Sequence, residues 1–192
     1  RSHGINKLDD EFENKELAYT DNNKNLWYYE MTSLGYHYRI TDIQASLANS
    51  QLDKLDSFIK KRRDLSHKYI KSLVNIPFIE PAQKINIDNS ANHIFPVLID
   101  FKKLKLSRND FMKALSQRNI LTQVHYMPVY SHPFYKNKLK CSEFFNESES
   151  YYNKALTLPL YFLLSEDEQE HVIHSLQSLI LQNLKKNLEV NV

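Results

Sequence analysis

A chain of 192 residues is long enough to bury a core and suits one or two domains. Its 25 basic and 23 acidic residues leave a net charge of +2, too small to argue for nucleic acid or an anionic membrane as a main partner. The lone cysteine, Cys141, excludes an internal disulfide and a cysteine-based metal cluster, and two glycines far apart exclude a P-loop or dinucleotide fingerprint.

No apolar run approaches the roughly 18 residues that cross a bilayer, and the first residues lack the order of a signal peptide, so a reducing cytoplasm is the expected location. Residues 5 to 33 mix acidic, Asn and aromatic residues without a sustained period, which predicts a short helix and irregular connections. Next comes an aromatic and basic run, Leu34-Gly35-Tyr36-His37-Tyr38-Arg39. It suits an anion: a turn at Gly35 brings backbone close, Arg39 offers a planar fork of donors, and a helix N-terminus follows. Thr41-x-x-Gln44 is a capping box, and Ile43, Leu47, Leu55, Ile59 and Tyr69 recur at helical intervals to about Leu73. One helix of about 30 residues, roughly 45 Å long, is expected there. Pro77 and Pro81 end it, giving three regions: 1–40, the helix 41–76, and 77–192.

In the last region His93 to Asp100 reads as a strand that Pro96 confines to an edge or a bulge. Ser107 to Arg118 reads as a helix capped by Ser107, Ile120 to Tyr126 as a second strand, and Ser142 to Leu156 as another helix. Leu158-Pro159-Leu160 is an extended turn. Ser165 and Glu168 form a second capping box, opening a final helix whose buried stripe is Val172, Leu176, Leu179 and Ile180. Helices packed on a sheet make this a small α/β domain.

Among residues able to carry chemistry, Arg39 is either an anion contact or paired with a nearby acid such as Asp42 at the helix start, and His37 taken by itself reads as a surface histidine in a loop. His125 and Tyr126 end the second predicted strand. His171 and His174 lie three apart on a helix, but no further ligand accompanies them, so no metal site is expected. Lys60-Lys61-Arg62-Arg63 reads as a solvated face, without the aromatic platforms of nucleic-acid binders.

Several motifs in one order carry a resemblance: Arg1-Ser2-His3-Gly4-Ile5, the segment Trp27 to Met31, Gly35-Tyr36-His37-Tyr38-Arg39 with Thr41-Asp42-Ile43-Gln44, Ser50-Gln51-Leu52, Arg62-Arg63, Thr122 to Val129, and Leu158-Pro159-Leu160-Tyr161. The chain resembles the DegT/DnrJ-type sugar aminotransferases, and within them the enzymes that aminate a UDP-linked 4-keto-6-deoxy amino sugar on the way to pseudaminic acid. The resemblance implies the C-terminal half of a fold type I aminotransferase, with pyridoxal phosphate as cofactor, glutamate as amino donor, a nucleotide-linked keto sugar as acceptor, and a homodimer. It places His37 where the family has an Asn that contacts the cofactor phosphate in the partner subunit, with Arg39 beside it, and His125 and Tyr126 beside the sugar-nucleotide pocket. No lysine here stands in the family's Ser-x-His-x-x-Lys context, so the catalytic lysine is expected upstream of Arg1. The rival reading is a non-catalytic relative that serves as a sugar-nucleotide-binding or assembly module.

Overall fold

The computed structural model describes residues 3–7, 12–83, 87–139 and 145–189; Arg1, Ser2, Cys141 and Ser142 of the sequence reading lie outside the described residues. The chain divides into two compact units, Arg1–Lys54 and Leu55–Val192.

In the first unit β1 (Ile5–Asn6), the single-turn helix α1 (Lys15–Ala18), β2 (Tyr19–Thr20), β3 (Asn23–Lys24) and β4 (Glu30–Met31) lead to α2 (Asp42–Leu52). β1 pairs antiparallel with β4, and β2 with β3. Asp21 and Asn22 turn the β2–β3 hairpin at φ of 49° and 64°, the left-handed region that a type I′ turn demands and that Asp and Asn tolerate. Phe12, Ala18 and Tyr28 are buried together, with Phe12 and Tyr28 meeting edge to face at 5.0 Å between centroids. Glu30 locks this cluster: its carboxylate accepts from the Glu13 N–H at 2.7 Å, the Asn14 N–H at 3.1 Å and the Tyr28 hydroxyl at 2.9 Å. The Glu13 bond above all holds the Glu30 carboxyl below its ordinary pKa. The Glu of the aromatic segment is therefore a structural knot.

The single helix expected from Thr41 to Leu73 is two. α2 ends at Leu52, Asp53 and Lys54 form a turn in which the Lys54 N–H donates to the Gln51 carbonyl at 3.1 Å, and α3 (Leu55–Leu73) begins afresh. The apolar repeat that joined them is no continuous buried stripe: Ile43 and Leu47 are exposed, whereas Leu65, Tyr69 and Leu73 of α3 are buried.

The second unit continues from α3 through β5 (Ile79–Pro81), β6 (Phe95–Ile99), α4 (Phe101–Leu104), α5 (Arg108–Ser116), α6 (Pro133–Leu139), α7 (Asn146–Lys154), β7 (Ala155–Leu158) and α8 (Glu166–Glu189). Its antiparallel sheet has the order β5-β6-β7. Phe95, Val97 and Ile99 alternate onto one buried face of β6, and Leu115, Phe111, Leu176 and Ile180 join them in one core. Pro96 thus lies in a central strand, contrary to the edge or bulge expected. The ladder explains it: the Pro96 carbonyl accepts from the Ala82 N–H at 3.0 Å, so the missing N–H faces the same side, beyond Pro81 where β5 has ended.

Ile120 to Tyr126 is not a strand either. It touches the sheet through one bridge, Gln123 to Thr157, whose N–H bonds run at 2.7 and 3.4 Å. The expected helix to Leu156 stops at Lys154, because Ala155 to Leu158 pair with β6 and are buried. Both local caps match expectation: the Asp110 N–H donates to Ser107 Oγ at 3.1 Å, and Ser165 and Glu168 exchange bonds of 2.8 and 3.1 Å. No described helix is long and apolar enough to cross a membrane.

Candidate functional site

The aromatic and basic loop of the first unit takes its shape from the chain's two glycines. Gly4 stands at φ 72°, and a Cβ there would lie 1.7 Å from the Ser33 carbonyl oxygen. A Cβ on Gly35 would lie 2.2 Å from the Gly4 nitrogen and 2.6 Å from the His3 carbonyl carbon. Both obstacles are backbone, so the segment 3–6 and the loop 33–36 cross at a distance that only glycine permits. The Thr32 N–H donates to the Gly4 carbonyl at 2.9 Å, and the His3 N–H to the Tyr36 carbonyl at 3.4 Å. This crossing sets the His3 ring 4.7 Å from that of His37, centroid to centroid, at an interplanar angle of 46°. Gly35→Ala is expected to push the two segments apart, costing the first unit about 1–3 kcal/mol as overpacking. Loss of the His3–His37 contact in nuclear Overhauser spectra would report it; an unchanged contact would contradict the crossing.

Past the crossing, His37 and Arg39 are exposed, and Arg39 forms no ion pair with Asp42 among the described residues. Of its two readings, the helix-start pair is thus not made. Burial first, and then the charges of His37 and Arg39, hold the His3 imidazole below its ordinary pKa. α2 starts immediately after: the Gln44 N–H donates to Thr41 Oγ1 at 3.3 Å, and the Thr41 N–H to Gln44 Oε1 at 3.0 Å. The His37 imidazole, the Arg39 guanidinium and a capped helix N-terminus stand in one short segment, with the His3 ring against His37. All are donors or positive ends, a set that fits a phosphate group.

His125 and Tyr126 lie in the second unit, just after the bridge at Gln123. His125 Nδ1 is 2.8 Å from Thr157 Oγ1, and its carbonyl accepts from the Tyr151 hydroxyl at 3.0 Å. Burial keeps that Tyr151 hydroxyl protonated above the ordinary phenol range. The rings of His125 and Tyr126 meet edge to face at 4.5 Å, and Tyr126 is 70% exposed. Tyr126, Tyr130, Tyr151 and Glu147 help line a groove of about 530 Å³. β7 and α7 therefore fix His125, while Tyr126 offers an open aromatic face.

Other sequence candidates resolve differently. Arg62 and Arg63 are not a solvated face. Arg62 Nη1 donates to the carbonyls of His93 at 2.9 Å and Leu160 at 3.1 Å, and Arg63 Nε to that of Ser90 at 3.0 Å. These two arginines clamp α3 to the connections around the sheet. His171 and His174 each engage a backbone carbonyl, of Arg118 and Glu170, at 2.9 Å. Sequence reasoning missed His3 as a neighbour of His37. The signal was present: each glycine of a glycine-poor chain lies within two residues of one of those histidines.

The described residues thus combine a mixed α/β fold with an exposed, donor-rich loop before a capped helix. The chain belongs to the DegT/DnrJ/EryC1/StrS aminotransferase family, whose profile matches residues 1–177. It is 33% identical over 156 residues to the spore coat polysaccharide biosynthesis protein SpsC of Bacillus subtilis, covering 80% of this chain and 40% of that protein. To the UDP-4-amino-4,6-dideoxy-N-acetyl-beta-L-altrosamine transaminase of Campylobacter jejuni it is 30% identical over 186 residues, covering 97% of this chain and 44% of the transaminase. The structure of Helicobacter pylori PseC, an aminotransferase involved in the biosynthesis of pseudoaminic acid, superposes with a TM-score of 0.76 at 26% identity, again over 97% of this chain and 44% of that one. The chain thus spans less than half the length of these relatives.

Proposed function

We propose that this chain is the C-terminal portion of a pyridoxal-phosphate-dependent aminotransferase that moves an amino group from glutamate to a nucleotide-linked 4-keto-6-deoxy sugar, in the cytoplasmic synthesis of a surface polysaccharide or glycan. The observation that carries this reading is the loop. Its glycine crossing and capping box present His37 and Arg39 as exposed donors at the start of α2. When bound, pyridoxal phosphate supplies the electron sink that amino-group transfer needs. His37 and Arg39 would hold its phosphate: Arg39 brings a permanent charge and a fork of donors, and His37 donates from one ring nitrogen when neutral and from both when protonated. His125, steadied by Thr157 and Tyr151, and the exposed Tyr126 would receive the sugar nucleotide, the tyrosine ring offering a stacking face. The site is shared in a homodimer, the loop of one subunit serving the other.

The test is to join the chain to the upstream half of a family enzyme, by fusion or co-expression, and assay amination of a UDP-linked 4-keto sugar with glutamate. Activity is expected only when both halves are present. Proper assembly without turnover would turn the reading towards a sugar-nucleotide-binding or assembly module.

A further inference from the structure

We infer that His3 is a further anion-binding residue of the loop, placed so that its ring and that of His37 address one phosphate group. This rests on the reading of His37 and Arg39 as phosphate ligands and adds a residue from a different segment. The rings lie 4.7 Å apart, close enough for nitrogens of both to reach oxygens of one tetrahedral anion. The placement follows from the crossing: the missing Cβ atoms of Gly4 and Gly35 let the two segments approach, and the Thr32 N–H bond to the Gly4 carbonyl at 2.9 Å ties them there. His3 is itself tied to the loop by its N–H bond to the Tyr36 carbonyl at 3.4 Å.

Charge points the same way. Among described residues the charged neighbours that act on His3 are His37 and Arg39, both basic, and no carboxylate balances them. These neighbours disfavour a proton on His3, and a phosphate dianion would supply the missing negative charge. Anion binding should therefore draw a proton onto His3. It should tighten as the pH falls, because the bound state holds more protons than the free one.

The experiment follows the imidazole Cε1–H resonances of the full chain, joined to the upstream half of a family enzyme as above, by NMR, assigned with the His3→Phe and His37→Asn variants. Pyridoxamine 5′-phosphate, pyridoxamine and UDP are each titrated at constant ionic strength. Pyridoxamine 5′-phosphate is expected to move the His3 and His37 signals along one saturation curve, with pyridoxamine moving neither. His3→Phe, which keeps a ring against His37 and removes the nitrogens, should weaken that binding about three- to tenfold and make it less steeply pH-dependent. Saturable shifts with UDP alone would uphold His3 as a phosphate ligand while overturning the assignment of the loop to the cofactor. A response at His37 without one at His3 would overturn the role of His3 and leave the reading of the loop intact. Silence at both rings would overturn both.

Discussion

Tyr69→Ala is expected to lower the stability of the unit Leu55–Val192 by about 3–5 kcal/mol, the range for truncating a fully buried aromatic side chain. Tyr69 has no exposed surface and stacks on Phe95 with centroids 5.0 Å apart. Its hydroxyl donates to the Pro159 carbonyl at 2.9 Å, so one side chain joins α3, β6 and the connection after β7. Removing the ring leaves a cavity among residues of three elements that cannot all collapse into it. Tyr69→Phe keeps the packing and strands one carbonyl, and should cost about 1–2 kcal/mol. Urea unfolding followed by far-ultraviolet circular dichroism would measure both. Equal losses for the two variants would mean that the hydroxyl, and not the packing, holds this junction.

Features set by near neighbours in sequence were legible before the structure. The boxes at Thr41 and Ser165 and the stripe Val172, Leu176 and Ile180 need only the residues within one or two helical turns. What failed depended on distant partners. Pro96 read as an edge marker because sequence does not say where the neighbouring strand ends. Arg62 and Arg63 read as a solvated face because the carbonyls that receive them belong to residues 27 to 98 positions away. The repeat through Ile43, Leu47 and Leu55 carried no sign that the helix breaks at Asp53, since spacing alone does not say which of its positions are buried: Ile43 and Leu47 are exposed. His37, Arg39, His125 and Tyr126 were legible as candidates through their motifs. His3 as a neighbour of His37 was only hinted at: the glycine near each histidine marks a close backbone approach, but not that the two approaches, more than thirty residues apart, are to each other.

Mixed dimers should recover activity that neither parent has. In the completed enzyme, Arg39→Ala is expected to remove a charged phosphate contact from the site that the loop serves, and loss of the upstream lysine should abolish the site that the lysine serves. If the loop reaches the partner's site, a heterodimer carries one site with both lesions and one with neither. Random mixing makes half of the dimers hetero, so about a quarter of wild-type activity is expected from two inactive parents. Activity that stays at the parental level, with heterodimers proven by differential tags, would place Arg39 in its own subunit's site or leave it only a structural part of the helix start.

The Gly4–Gly35 crossing also bears on how the loop could be moved to another scaffold. A graft or synthetic peptide covering residues 27–44 would contain every side chain of the aromatic and basic motif, yet it would leave behind the strand against which the loop is moulded. Its affinity for anions would then come from charge alone, without a fixed spacing between donors. Any transplant must carry residues 3–6 as a second, discontinuous piece, and the glycine at each face of the contact is the least replaceable part of it.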